Sequence, residues 1–361
     1  MCAPSSPHHH QGQSRHDHHQ HSSLVVPEVF LSRRRLLRVG GVGLGGALLA
    51  ACGNGSSNQI TGPSTSATPT SPADSLLATT TAAPTNSTLA GFDAFRESVT
   101  VTNDGTWWLV ESDGMPAHNM MVGITSWQQQ VPTPQPYSGT NSWRIRMSPT
   151  KAETPVSART GLYRGAIALA ANGVPIFNAL NNRGDDAFLV GELDEWGGHA
   201  GRADDYHYHV APLHLQETVG ANQPIAFALD GYPVYGETEP DGSAVQTLDE
   251  FNGHELPDGT YHYHGTRTYP YINGGLRGVV NVVGDQVDPQ PVTRPFREAT
   301  SPLQGATVTA FERISSESFR LAYLANGAEG GVAYTVGSNS ILFTFTDPSG
   351  TVTTETYERP S

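Results

Sequence analysis

Six histidines recur in register along this chain. Tyr206-His207-Tyr208-His209 and Tyr261-His262-Tyr263-His264 are the same four residues, 55 positions apart. Upstream, Leu193-Asp194-Glu195-Trp196-Gly197-Gly198-His199 aligns with Leu248-Asp249-Glu250-Phe251-Asn252-Gly253-His254 at the same offset. Successive side chains of a strand face opposite ways, so each Tyr-His-Tyr-His run puts both imidazoles on one face and both tyrosines on the other. Imidazoles at i and i+2 lie about 7 Å apart at Cα, close enough to reach one ion. A third imidazole, His199 or His254, arrives from the Gly-rich turn before each run. Three neutral imidazoles with an open position suit Zn, Cu or Fe. The expected metal ligands are therefore His199, His207, His209, His254, His262 and His264.

Two arrangements satisfy this spacing. Each block holds its own ion, or the two Tyr-His-Tyr-His strands pair about a pseudo-twofold and share one. Asp204, Asp205 and Asp258 precede the strands and could orient imidazoles from behind. His118 is a candidate supplementary ligand, whereas His214 sits at odd spacing from His209 and reads as structural. A different chemistry uses the same residues without metal: histidines bonded to backbone carbonyls or to Asp194, Asp249, Asp204 and Asp205 would brace a loop-rich core. The tyrosines would pack as core, with hydroxyls that need partners.

The elements that must position these groups are strands. Ser98–Thr102 and Trp107–Val110 flank Asn103-Asp104-Gly105, and Ser142–Met147 alternates cleanly. Ala166–Ala170 and Val174–Phe177 flank Asn172-Gly173, and Ile225–Leu229 and Tyr232–Tyr235 flank Asp230-Gly231, two hairpins in matching positions. These hairpins repeat at an offset of 58, three more than the histidine blocks, so a duplicated unit carries a small insertion. Ala306–Glu312, Ser318–Leu324, Val332–Val336, Ser340–Thr346 and Thr351–Tyr357 read as successive strands near the end. With 39 Gly and 26 Pro and no long amphipathic helical window, the class is mainly β. The expected architecture is a loop-rich β domain over 92–290 built from the duplicated unit, and a small β-sandwich-like module over 302–358.

The N-terminus carries an address. Ser32-Arg33-Arg34-Arg35-Leu36-Leu37-Arg38 is a twin-arginine pattern, followed by an apolar stretch too short to span a bilayer and by Leu49-Ala50-Ala51-Cys52, which reads as a lipobox. Residues 1–51 are then a removed signal, and with them goes the early run His8, His9, His10, His16, His18, His19 and His21. Cys52 is the expected lipidation site, and a diacylglyceryl anchor suffices for stable membrane attachment. Residues 52–91 are Ser, Thr, Ala, Pro, Asn and Gly with few large apolar groups, a flexible tether. The expected location is the extracytoplasmic face of the cell membrane.

The chain has 20 Lys+Arg against 34 Asp+Glu. Residues 1–51 hold five of the bases and two of the acids, leaving 15 and 32, a net charge of about −17 after the signal. Such a surface repels nucleic acid and concentrates cations. The two cysteines are Cys2, removed, and Cys52, lipidated, so no disulfide staples the fold. No phosphate loop, nucleophile elbow or Cys/His nucleophile pattern is present, and no nucleotide or organic cofactor is indicated.

Taken as ordered strings, Gly173–Asn178, Gly191–His199, Gly201–His209, Leu229–Gly236 and Asp258–His264 resemble the YHYH-domain family over about Ser98 to Val283. The tail Phe345–Tyr357 is similar to the ends of such proteins. Where related sequences often have Gly-Gly-His-Cys-Gly, this chain has Ala200, which removes a mixed Cys/His site. The resemblance implies an exported protein and no particular reaction. The expected function is binding of a divalent transition metal by a lipid-anchored protein. The alternatives are a metal-free surface or interaction protein, and a metal-dependent hydrolase or oxygenase acting on an envelope or carbohydrate substrate.

Overall fold

The two histidine blocks are built into one sheet. In the computed structural model, which describes residues 85–86 and 88–359, eight short strands run edge to edge as Gly253–Glu255, Tyr261–His264, Pro233–Tyr235, Ala226–Ala228, Ala166–Ala170, Pro175–Phe177, Tyr206–Tyr208 and Gly198–Ala200. The order is a palindrome. Each half is a hairpin, then a Tyr-His-Tyr-His strand parallel to its second arm, then the Gly-His strand antiparallel at the edge. The halves join through Ala226–Ala228 and Ala166–Ala170, where Phe227 pairs with Leu169, its own counterpart at offset 58. A register symmetric about that pair is a local twofold. The duplicated unit of the sequence is thus a doubled half-sheet.

Composition explains why this pairing sits at the centre. Ala166–Ala170 is buried at every position and Ala226–Ala228 likewise. Small and aliphatic side chains on both faces admit neighbouring layers closely, which suits an interior strand. The hairpin turns follow the predicted chemistry, with Gly173 at φ 78° and Gly231 at φ 100° in the left-handed region.

Other strands flank this sheet. Thr85–Asn86, Thr100–Asn103, Trp107–Glu111 and Trp143–Arg146 form a four-stranded antiparallel sheet. Structure therefore begins before Phe92, and Leu89 is already buried. Lys151–Ser157 pairs with Gly275–Gly278, and Asn281–Val283 with Gln286–Asp288. The one α-helix among the described residues is the four-residue Gln216–Val219, and no helix there is long and apolar enough to cross a membrane.

The C-terminal β module is a five-stranded antiparallel sheet in simple succession: Ala306–Arg313, Ser318–Ala325, Ala328–Val336, Ser340–Thr346 and Val352–Glu358. Its alternating pattern buries Phe319, Leu321, Val332, Tyr334, Ile341 and Phe343. This face meets the rest of the protein directly. Trp127 lies 5.0 Å from Tyr323 between ring centroids, and the Tyr334 hydroxyl donates to the Pro132 carbonyl. Buried Arg297 forms a two-pronged pair with Asp204, at 2.8 and 3.0 Å. Module and sheet accordingly fall within one compact unit. The twin-arginine motif, the lipobox with Cys52 and most of the tether lie outside the described residues.

Candidate metal centres

Each Tyr-His-Tyr-His strand is fixed from its tyrosine side. Tyr206 donates to Asp194 at 2.8 Å and Tyr261 to Asp249 at 2.9 Å, the same contact in each half. Tyr263 donates to Asp230 at 2.6 Å, while Tyr208, its counterpart, accepts from Asn172 at 3.0 Å. The hydroxyls expected to need partners have them. The Gly-Gly-His and Asn-Gly-His turns fit against these rings. A Cβ on Gly198 would stand 2.5 Å from the Tyr206 hydroxyl, and one on Gly253 2.1 Å from that of Tyr261. Ahead of them Gly197 (φ 82°) and Asn252 (φ 58°) take the left-handed conformation that these two residue types tolerate.

The opposite face carries the imidazoles. His199 is the cross-strand partner of His207, and His254 of His262. In the first centre the Nε2 atoms of His199 and His209 are 3.1 Å apart, as are those of His207 and His209. In the second, His262 and His264 approach to 3.0 Å and His254 and His264 to 3.3 Å. The structure thus brings together His199 with His207 and His209, and His254 with His262 and His264. Four strands separate the two Tyr-His-Tyr-His strands, a span of roughly 24 Å at the usual strand spacing, so the two sets share no ligand.

Hydrogen bonds behind the rings determine what the converging atoms are. His207 Nδ1 lies 3.0 Å from the Asp205 carbonyl, and His209 Nδ1 lies 2.6 Å from that of Asn178. A carbonyl oxygen only accepts, so both Nδ1 atoms carry a proton, and in the neutral ring each Nε2 then presents a lone pair. Two lone pairs 3.1 Å apart have no hydrogen between them and repel unless a cation intervenes. Burial drives His209 down to about 3 and His199 well below the usual imidazole range, with neighbouring His207 adding to both and Arg183 to His199. His264 repeats the pattern, its Nδ1 donating to Gly236, the counterpart of Asn178, at 2.8 Å. Phe177 stacks on His207 at 3.9 Å between centroids, and Tyr235 in the matching place meets His262 edge-on at 5.2 Å.

The centres differ in their fourth group. Glu239, 3% exposed, places its carboxylate 3.0 Å from both His254 and His262 and 3.4 Å from His264. Burial works to raise this carboxyl, but the Gln246 N–H and the surrounding imidazoles outweigh it and hold the group below its ordinary value. Burial lowers His262 and His264 in turn. Both clusters could hold a metal ion, one as three histidines and one as three histidines and a carboxylate. The first centre has Asn181 where the second has Glu239. The bridges Leu180–Asp186 and Thr238–Ala244 fix that equivalence. The Asn181 amide donates to Glu192 at 3.1 Å, and Glu192 is paired in turn with Arg183. The first centre opens on a cleft of about 650 Å³.

Sequence reasoning missed Glu239. The signal was present in the hairpin offset of 58, which aligns Glu239 with Asn181, but unlike residues at matching positions show no repeat. His118 is not a ligand of either cluster: it stands on the tyrosine side, 2.7 Å from the Tyr208 hydroxyl and stacked on Trp196. His214 packs beside it at 5.1 Å. Of the three aspartates expected to orient imidazoles, Asp205 does so through its carbonyl. Asp204 is committed to Arg297 and the Val131 N–H, and Asp258 caps its own turn at Thr260. Asp194 and Asp249 brace tyrosines rather than histidines.

Comparison with known proteins agrees with the first half of the sheet. The family described as "YHYH protein" matches residues 142–246, which include the first histidine block and Glu239 but end before His254. No curated protein and no solved structure matches. Residues 142–246 are a YHYH protein family domain.

Proposed function

We propose that this protein binds divalent transition metal ions at two separate centres, His199, His207 and His209 in one and Glu239, His254, His262 and His264 in the other. It does so while held on the extracytoplasmic face of the membrane by a lipid on Cys52. The observation that carries the metal reading is the pair of Nε2 lone pairs on His207 and His209, 3.1 Å apart with both Nδ1 protons committed to carbonyls. A hydrogen-bonded brace would place a proton between them. A metal accounts for the spacing: at the usual Zn–N length of about 2.0–2.1 Å, the edge of a tetrahedron is about 3.3–3.4 Å. The second centre resembles closed structural sites with four protein ligands, and the first resembles sites that keep a position open. Zn, Cu and Fe all suit imidazole ligands.

The metal-free alternative draws support from the second centre, where Glu239 can accept from both His254 and His262. The hydrolase or oxygenase alternative draws on the open side of the first. Elemental analysis of protein purified without chelator or metal resin should return two ions per chain. Chelator should lower Tm and added metal restore it, since an ion bound only by the native fold contributes about 2.7 kcal/mol at a hundred times its Kd. Identical melting with and without chelator would defeat the metal reading. The membrane reading rests on the ordered arginine, apolar and lipobox residues of the N-terminus. Cys52→Ser should release the protein from the detergent fraction, and a native protein already soluble and unlipidated would refute it.

A further inference from the structure

The two centres are unequal in charge, and the inequality has a chemical consequence. Three neutral imidazoles leave a divalent ion at +2, whereas Glu239 reduces the second centre to +1. Among the described residues no carboxylate oxygen joins the His199 cluster. The surrounding cleft adds positive charge rather than cancelling it. Arg164, Arg183 and Arg202 line it, against the acids Glu192 and Asp205, in a protein whose overall charge is −14. Arg183 bears on His199 electrostatically and is itself engaged by Glu192 and Asp185. Arg164 and Arg202 are exposed and meet no carboxylate among the described residues; Arg164 makes one long contact, 3.5 Å to the Gly284 carbonyl.

A cationic basin around an open coordination position selects against cations and neutral donors. It favours a ligand whose negative charge satisfies the ion and the arginines together. The cleft volume of about 650 Å³ is that of a small-molecule site. We infer that the His199 centre takes a small oxyanion, a carboxylate or phosphate, which binds the metal through one oxygen while Arg164 and Arg202 neutralise the rest. The His254 centre, closed by Glu239, takes no exogenous ligand. This rests on the metal reading of the first centre.

Cobalt(II) loaded into the purified chain tests both, because its visible absorption bands respond to a change of ligand. Titration with inorganic phosphate, and separately with acetate, should perturb about half of the wild-type intensity, the share of one centre in two. In His207→Ala the remaining spectrum should be indifferent to either anion. Arg164→Ala combined with Arg202→Ala should leave cobalt stoichiometry unchanged, since both side chains are exposed. It should weaken the more responsive anion by about tenfold or more per arginine, the scale of a charge-assisted hydrogen bond. Two bound cobalt ions with bands unmoved by both anions would overturn this inference and leave the metal reading standing. An arginine variant with unaltered anion affinity would do the same. A wild-type chain that takes up no cobalt would defeat both.

Discussion

At the residue scale, the decisive chemistry is which nitrogen of each ring carries a proton. The Asp205, Asn178 and Gly236 carbonyls hold Nδ1–H on His207, His209 and His264, and so aim the Nε2 lone pairs inward. Glu239 completes one set and Asn181 fails to complete the other. Glu239→Gln keeps the shape and removes the charge, so it should weaken metal at the second centre alone, by tenfold or more in a competition titration, on the order of one charged contact. A variant that still holds both ions with unchanged affinity would show that the carboxylate is only a hydrogen-bond acceptor. The six histidines were legible because they repeat. Glu239 was not, because a ligand present in one half only leaves no periodic trace.

At the element scale, the hairpins and strands were legible from alternation and turn residues: Ala166–Ala170 and Ser340–Thr346 have the expected bounds. Their order in the sheet was not, since nothing in a strand's own residues announces a parallel neighbour such as Ile176 to Tyr208. Nor did the sequence choose between one shared centre and two; the symmetric pairing of Leu169 with Phe227 does, by sending the Tyr-His-Tyr-His strands outward. The glycine before each edge histidine is needed because the tyrosine below it cannot retreat. In Gly198→Ala the new methyl meets a Tyr206 hydroxyl held by Asp194, and the strain displaces the strand that carries His199. Denaturation should show a loss of about 1–3 kcal/mol, the usual cost of overpacking. Metal content should fall from two ions to one. Gly253→Ala should do the same to the other centre, and loss of both ions from either variant would mean that the halves are not independent. Arg297→Ala belongs to the same scale. It leaves Asp204 buried without its cation and should destabilise by about 3–5 kcal/mol, read from the urea midpoint.

At the scale of the whole molecule, the buried titratable groups predict how the fold responds to acid. Burial holds His118 and His214 each at about 4, down from 6.5, and His209 at about 3. Asp194 is shifted the other way, burial raising it from 3.8 to about 6 against the pull of the Gly198 N–H and the Tyr206 hydroxyl. The signs oppose. Below pH 6.5 the unfolded chain binds protons that the folded histidines refuse, so each depressed histidine contributes stability that is lost as pH falls toward its folded value. The raised carboxyl takes its proton earlier in the folded state, and so favours folding as pH falls from 6 to 3.8. At pH 5 these four groups alone give an uptake on unfolding of about three protons at His118, His214 and His209 and a release of about one at Asp194, a net uptake of about two, to which His199, His262 and His264, lowered as well, add in the metal-free protein. Stability should therefore decline between pH 6.5 and 4, where a protein with ordinary histidine and aspartate values would show no slope from these groups. Substitution of His118 or His214 by Gln should flatten the decline by about one proton each, on the tyrosine side of the sheet and outside both histidine clusters. Urea titrations at half-unit steps of pH would read this, and a stability unchanged from pH 7 to pH 4 would mean that these imidazoles are open to water in the folded protein.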